Sequence, residues 1–210
     1  IDLIGPHRRG LAMAINEFAG YFAVAGSALL TGFVASHYGL RPQPFYLGVV
    51  YVFIGLTLSL FAIKETKHHV THEAKFVADG GHDISHSKRE IFFKTTFTNK
   101  NLSSVTQAGF VNNLNDGMAW GLFPILFSTV GLNLEQISWL AAIYPATWGL
   151  FQLWTGHLSD VWGRKWLIAS GMWIQALGIA VTATSSDFWP FAFGGLLLGI
   201  GTAMVYPTLL

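Results

Sequence analysis

Six long apolar stretches decide what this chain can fold into. Each has about 20 residues or more, the length that an α-helix needs to cross the roughly 30 Å hydrocarbon core of a bilayer. They lie at about 11–36, 44–63, 102–130, 136–156, 166–184 and 188–210. Glycine and proline recur inside them, and a membrane helix tolerates both because its neighbours satisfy the freed backbone groups. The pattern predicts an all-α, polytopic membrane protein with six transmembrane helices in this sequence.

The charged side chains are concentrated in one segment. Charged residues make up 11% of the 210 residues, whereas a soluble domain has about 25%. Residues 64–100 contain 12 of the 23 charged side chains, so this segment is predicted to be a polar linker between residues 1–63 and 101–210. A soluble helical bundle is disfavoured because its helices would each need a polar face. The sequence begins with Ile1 rather than methionine, and its last residues are still apolar, so we expect the chain to be an internal part of a larger protein.

Lysine and arginine are distributed asymmetrically about the apolar stretches. Eleven of the twelve lie in residues 1–10, 64–100 and 157–165, and Arg41 alone lies in the other loops. Positively charged loops stay on the cytoplasmic side of a membrane. These three segments are therefore predicted to be cytoplasmic, and the loops near 37–43, 131–135 and 185–187 external, in a multi-pass protein of the plasma or inner membrane.

A short charged motif follows the fourth apolar stretch. It consists of Gly156, Leu158, Asp160, Gly163, Arg164 and Lys165 in the sequence GHLSDVWGRK. Its glycines allow a tight turn, and Asp160 can accept hydrogen bonds at a helix N-terminus, where the dipole favours an anion. The motif resembles the G-x-L-x-D-x-x-G-R-K loop of the major facilitator superfamily of transporters. The opening residues Asp2 to Gly10 are similar to the end of helix 4 and the following loop in that family.

The resemblance implies a twelve-helix fold with two six-helix halves and a long cytoplasmic linker. This chain would then contain the tail of helix 4, helices 5 and 6 (11–36 and 44–63), the linker (64–100) and helices 7 to 10 (102–130, 136–156, 166–184 and 188–210). The implied partners are the remaining helices of the same chain, the lipid bilayer, a small solute and, in a coupled transporter, protons. No cofactor is implied.

The resemblance also implies a function, namely secondary active transport of a small solute by alternating access. Proton-driven drug antiporters of the family often carry a G-P-x-x-G-G-like stretch in helix 5. Residues 26–32 read GSALLTG, without a proline, so this motif does not support drug export. A sensor or receptor that kept the fold is an alternative. A membrane enzyme is disfavoured because no span contains paired carboxylates, a Ser/His arrangement or a metal-ligand cluster.

Polar residues interrupt the third apolar stretch in the sequence VNNLNDG. Asn112, Asp116, Ala119 and Phe123 recur at helical spacing and share one face. A carboxylate within the bilayer costs about 2.5–3.5 kcal/mol on insertion scales, so it normally faces protein or water. Asp116, Asn112 and Asn115 are therefore the candidate substrate- or proton-binding residues. The alternative is that they only hold helices together by hydrogen bonds.

Other polar residues in or near the spans are expected to have structural roles. Glu17 lies near the cytoplasmic end of its span, and charge pairing among Asp2, Arg9 and Glu17 is favoured over solute binding. Gln152 and Gln175 are isolated polar residues, and packing is favoured for both. We further expect Asp160 to face the start of helix 5 and Arg164 to lie close to Glu17 or Asp2, as a latch between the halves in one conformation.

The predicted linker contains two pairs of histidines with i,i+4 spacing, His68 with His72 and His82 with His86. Such pairs can bind a transition metal, but a flexible polar linker without a metal site is favoured because Gly80 and Gly81 disfavour a helix. The end of the linker, KREIFFKTTFTNK, predicts a short helix on the inner membrane surface. Nucleic-acid binding is not predicted because the linker mixes seven bases with five acids.

Overall fold

The computed structural model describes residues 9–63 and 87–206, and within them it leaves the side chains of 9–13, 157 and 159–162 undescribed. The described residues form seven α-helices and no β-strand. The helices are α1 (Arg9–Tyr38), α2 (Gln43–Phe61), α3 (Lys88–Phe93), α4 (Lys100–Thr129), α5 (Leu134–Trp162), α6 (Arg164–Thr184) and α7 (Phe188–Val205). A π-helical turn, Lys94–Thr98, continues α3.

Each of the six predicted spans coincides with a helix, which confirms the all-α fold class. Four helices are long and apolar enough to cross a membrane by length and composition: α1 from Ala14 onward, α2, α6 and α7. Helices α4 and α5 fall outside this set, although their 30 and 29 residues would reach about 45 Å at 1.5 Å per residue. That α4 and α5 also span the membrane stays a prediction, as does the division into two halves and a linker.

Side-chain caps fix where α4 and α5 begin. The Oδ1 atom of Asn99 accepts hydrogen bonds from the backbone N–H groups of Asn101 and Leu102, at 3.0 and 3.1 Å. At the start of α5, Gln136 N donates to Asn133 Oδ1 at 2.9 Å, and Asn133 N donates to Gln136 Oε1 at 3.0 Å. This reciprocal pair is a capping box, which satisfies two backbone donors that a helix start leaves free.

The end of α5 differs from the prediction. We expected a loop at 157–165, but α5 continues to Trp162 and α6 begins at Arg164. The prediction placed the end of the helix near Gly156 because the apolar stretch ends there. A helix can continue beyond its apolar part, and α5 does so. The connection is made at Gly163, whose φ is +84°, a conformation that a residue with a Cβ adopts only with strain.

Two helix pairs dominate the packing. Helix α1 lies along α5, and α6 lies against α7, while α5 also packs on α7. Helix α2 has no buried residue, which suits a helix whose sides face lipid. The core lies between α4, α5 and α7: Ala119, Tyr144, Trp148, Leu198 and Ala203 form one buried cluster, and Phe127, Leu140 and Phe191 form another. The candidate site lies next to the first cluster, since Tyr144 of this cluster is hydrogen-bonded to Asp116.

Candidate functional site

The polar face of α4 is buried, as its spacing predicts. Asn112 is fully buried, Asp116 is 6% exposed and Ala119 is 5% exposed, while Asn115 and Phe123 are half-buried. By contrast, Asn113 is exposed and donates to the backbone oxygen of Gly109 in its own helix. The three candidate residues thus lie on the side of α4 that contacts other helices.

Asp116 is held by residues of two other helices. The hydroxyl of Tyr144, on α5, donates a hydrogen bond to Asp116 Oδ1. The same hydroxyl lies 3.3 Å from Thr202 Oγ1 on α7. Tyr144 is 4% exposed and Thr202 is fully buried. A single phenol therefore connects α4, α5 and α7 around one carboxylate.

No positive charge accompanies this carboxylate in the described part of the chain. Every lysine and arginine whose side chain the structure describes is exposed, and none of them forms an ion pair with Asp116. A buried carboxylate without a cationic partner is unusual, because the loss of hydration is then compensated only by hydrogen bonds.

Four aromatic rings, here called the aromatic cluster, surround this region: Tyr21, Tyr144, Trp148 and Tyr206. Trp148 is central and 1% exposed. Tyr21 of α1 stacks on it with ring centroids 3.6 Å apart, Tyr144 lies 5.9 Å away, and Tyr206 meets it edge-on at 5.3 Å. The cluster therefore combines a residue of α1 with residues of α5 and of the end of α7.

Glu17 is a second carboxylate near the aromatic cluster. Tyr21 and Tyr206 interact electrostatically with both Glu17 and Asp116. The predicted charge pairing among Asp2, Arg9 and Glu17 stays a prediction, because the side chains of Asp2 and Arg9 lie outside the described residues. Among the described side chains, Glu17 forms no ion pair with Arg164.

An amide bridge joins α4 to α6. Gln175 Nε2 donates to Asn112 Oδ1 at 2.9 Å, and Asn115 Nδ2 donates to Gln175 Oε1 at 2.7 Å. Gln175 is fully buried. The expectation that Gln175 only packs was therefore wrong. The sequence did contain a feature that points to a helix contact at Gln175. Gln175 lies four residues after Gly171 and three before Gly178, so all three residues share one face of α6.

Three buried polar atoms at or next to the site have no hydrogen-bond partner among the described residues: Asn112 Nδ2, Trp148 Nε1 and Gln152 Oε1. Gln152 is 1% exposed and lies one helical turn beyond Trp148 on α5. An unsatisfied buried polar group costs about 1–3 kcal/mol. Each of these atoms could therefore form one more hydrogen bond.

The charged motif lies at the junction of α5 and α6. Arg164 and Lys165 are exposed, and Lys165 Nζ lies 5.6 Å from the ring centre of Trp166. Leu158 and Gly156 are half-buried. The side chain of Asp160 and the segment before α1 lie outside the described residues, so the latch between them stays a prediction.

The end of the predicted linker is helical at α3. Its exposed rings, Phe92, Phe93 and Phe97, contact one another, and the Arg89 guanidinium lies 5.7 Å from the centre of Phe93. The histidine pairs at 68–86 lie outside the described residues. Within the described ranges, no group of three His, Cys, Asp or Glu side chains could hold a metal ion.

Comparison with known proteins shows consistent similarities. The sequence model of the Major Facilitator Superfamily matches residues 105–210. The efflux pump terJ of Aspergillus terreus is 33% identical over 107 residues, which cover 49% of this chain and 21% of the pump. The inner membrane transport protein YajR of Escherichia coli is 35% identical over 88 residues, covering 39% of this chain and 19% of that protein.

A third relative is the bacillibactin exporter of Bacillus subtilis, 28% identical over 113 residues, which cover 51% of this chain and 28% of the exporter. The chain thus covers between 19% and 28% of the length of these relatives. No solved structure matches the chain significantly.

Proposed function

Because this chain belongs to the Major Facilitator Superfamily, we propose that its full-length protein is a secondary active transporter. It moves a small solute across a membrane by alternating access, in which two halves rock around a central site. In the family's order, α1 and α2 belong to the N-terminal half and α4 to α7 to the C-terminal half. The observation that carries the proposal is the buried carboxylate of Asp116, which lies at the meeting point of three helices and has no cationic partner among the described side chains.

The aromatic cluster supports a site between the two halves. Tyr21 comes from α1, whereas Tyr144, Trp148 and Tyr206 belong to the C-terminal half. In the described structure α1 lies along α5 and buries Trp148. Separation of α1 from α5 would remove Tyr21 from Trp148 and uncover that side of the aromatic cluster, and alternating access requires a movement of this kind.

We assign Asp116 the role of binding the coupling proton or the solute, with Asn112 and Asn115 beside it. The amide bridge to Gln175 fixes the orientation of both asparagines, and Asn112 Nδ2 is left available. A carboxylate can release and rebind a proton, and asparagine side chains can hydrogen-bond a polar solute. No residue of the chain is assigned a catalytic role.

Direction and location belong to the same proposal. Two relatives are named as an efflux pump and an exporter, so outward transport is the direction to test first. The protein would reside in the plasma or inner membrane, with residues 64–100 in the cytoplasm.

Transport by the reconstituted full-length protein tests this proposal. Proteoliposomes that contain a pH-sensitive dye are supplied with candidate solutes, and both solute accumulation and proton movement are recorded. If Asp116 carries the coupling proton, Asp116→Asn abolishes uphill transport but leaves solute exchange. If Asp116 binds the solute, both activities fall.

The matched control is Asp187→Asn, the same substitution at an exposed aspartate before α7, which should transport like the wild type. Unchanged uphill transport and pH dependence in Asp116→Asn would assign Asp116 a structural role. A wild-type protein that moves none of the solutes in either direction would refute the transporter function itself.

A further inference from the structure

Two carboxylates lie near the aromatic cluster, and no described side chain neutralises either. From this arrangement we infer that the transported solute is an organic cation, a positively charged amine or onium group attached to an apolar or aromatic body. The inference rests on the proposed transporter function and adds the chemical class of its solute.

The charge balance is the first argument. Asp116 is almost fully buried, and among the described residues its side chain accepts a hydrogen bond only from the hydroxyl of Tyr144. Glu17, on α1, interacts electrostatically with Tyr21 and Tyr206, two tyrosines of the aromatic cluster on which Asp116 also acts. The lysines and arginines whose side chains are described are all exposed. An anionic solute at this place would meet two negative charges without compensation, whereas a cation would complete an ion pair in a site of low dielectric.

The aromatic rings are the second argument. The face of an indole or phenol ring carries negative electrostatic potential, and it attracts cations, with tryptophan the strongest. Trp148 lies at the centre of the cluster, and three tyrosine rings lie within 6 Å of it, centre to centre. Aromatic groups of this kind bind quaternary ammonium ions in other proteins. The same rings supply apolar area for the body of the solute.

An unpartnered acceptor is the third argument, and it is independent of the first two. Gln152 Oε1 is buried without a hydrogen-bond partner in the described structure. Residues 144, 148 and 152 repeat at four-residue spacing on α5 and therefore share a face. A protonated amine has N–H donors that suit this oxygen. The unpartnered donors Asn112 Nδ2 and Trp148 Nε1 suit an acceptor atom in the body of the solute.

Binding of shape-matched ions of opposite charge tests the inference. Full-length protein in an uncharged detergent is dialysed against radiolabelled tetraphenylphosphonium and, separately, tetraphenylborate, which has the same shape and a negative charge. Benzyltrimethylammonium and tetramethylammonium extend the test to smaller cations by competition. We expect saturable binding of at least one cation and none of the borate.

Substitutions then locate the binding. Asp116→Asn, which preserves size, should weaken cation binding about tenfold or more, as loss of one partner from a buried charge pair does. Tyr21→Phe keeps the aromatic ring and should retain the affinity for cations, whereas Tyr21→Leu removes the ring and should lose that affinity. Because Tyr21 is only half-buried, both variants should fold. Glu135→Gln, at an exposed acid at the start of α5, should bind like the wild type.

Three results would each overturn the inference. They are binding of tetraphenylborate as tight as that of the cations, binding of no cation, and a cation affinity in Asp116→Asn equal to that of the wild type. The proposed transporter function would survive those results if the proteoliposomes still moved an uncharged or anionic solute. It would fail only if no solute of any charge were transported.

Discussion

The side chain of Gln175 satisfies two polar groups at once, because its amide donates to Asn112 and accepts from Asn115. All three amides are predicted to lie at membrane depth, where water cannot replace a lost partner. The bridge therefore holds the side chains of Asn112 and Asn115 on α4 in place, although Gln175 itself lies on α6.

Replacement of Gln175 by methionine should destabilise the protein. Methionine has a similar volume but makes neither hydrogen bond, so Asn112 and Asn115 both lose a partner. We expect a loss of about 1–2 kcal/mol in the free energy of unfolding, measured for the full-length protein in detergent by thermal or chemical unfolding.

Thr182→Val is the matched control for this substitution. Thr182 is 1% exposed on the same helix, and among the described residues its hydroxyl donates only to the backbone oxygen of Gly178, within α6. Its loss should have a clearly smaller effect. Equal effects of the two substitutions would mean that the amide bridge contributes no stability of its own.

The sequence predicts the site only partly at this scale. The spacing of Asn112 and Asp116 on one helix is a local property, and it correctly predicts a buried face. Tyr144 lies 28 residues after Asp116, and Gln175 lies 63 residues after Asn112, each on another helix. Thr202 lies a further 58 residues after Tyr144, on a third helix. Which side chains meet across helices depends on rotation and register, and a single sequence does not determine these.

At the scale of helices, glycines determine how closely α6 and α7 approach each other. A Cβ atom added at Gly178 would lie 2.8 Å from the backbone oxygen of Gly194 and 2.9 Å from Leu198 N. Near the other end of the pair, a Cβ at Gly171 would lie 2.7 Å from the backbone oxygen of Gly201. Small residues allow such backbone contact in membrane helices, where packing rather than hydrophobicity drives association.

The substitution Gly178→Ala should therefore force α6 and α7 apart. The atoms that the new methyl group meets belong to the backbone and cannot move without shifting a helix. We expect the free energy of unfolding of the full-length protein to fall by about 1–3 kcal/mol, the usual effect of overpacking.

Gly121→Ala is a suitable control for Gly178→Ala. Gly121 lies in α4, also inside a helix, and a Cβ added there meets no atom within 4 Å. This substitution should be neutral or slightly stabilising, since alanine is the better helix former. A destabilisation equal to that of Gly178→Ala would show that the close contact of α6 and α7 is not the cause.

The helices themselves follow from the sequence better than their ends do. Long apolar stretches predict six helices because a bilayer leaves few alternatives for the backbone. The end of α5 is less predictable, because a change in polarity marks where the predicted membrane boundary lies rather than where hydrogen bonding stops. Nor does the sequence distinguish Gly178, which contacts another backbone, from Gly121, which does not.

For the molecule as a whole, the main contact between the two predicted halves is that of α1 with α5. The predicted division places α1 in the N-terminal half and α5 in the C-terminal half. A Cβ atom added at Gly149 of α5 would lie 3.2 Å from Tyr21 Cβ of α1. Farther along the same pair, a Cβ atom added at Gly32 of α1 would overlap the side chain of Ser138 of α5. Two close contacts along one helix pair hold α1 against α5 and keep Tyr21 stacked on Trp148 in the aromatic cluster.

This arrangement requires that both halves have the orientation predicted from their charges, with residues 64–100 cytoplasmic and 37–43 external. Single cysteines measure the orientation directly, because these 210 residues contain no native cysteine; cysteines elsewhere in the full-length protein are first replaced by serine. The sites are Ser87→Cys, in the linker, and Leu40→Cys, between α1 and α2, both of which are exposed. In intact cells, a membrane-impermeant maleimide should label the cysteine at position 40 and not that at 87, since positive loops remain inside.

Permeabilised cells should show labelling at both sites, which controls for reactivity. Labelling of position 87 in intact cells would reverse the predicted topology and place the charged motif at α5 and α6 on the outer face.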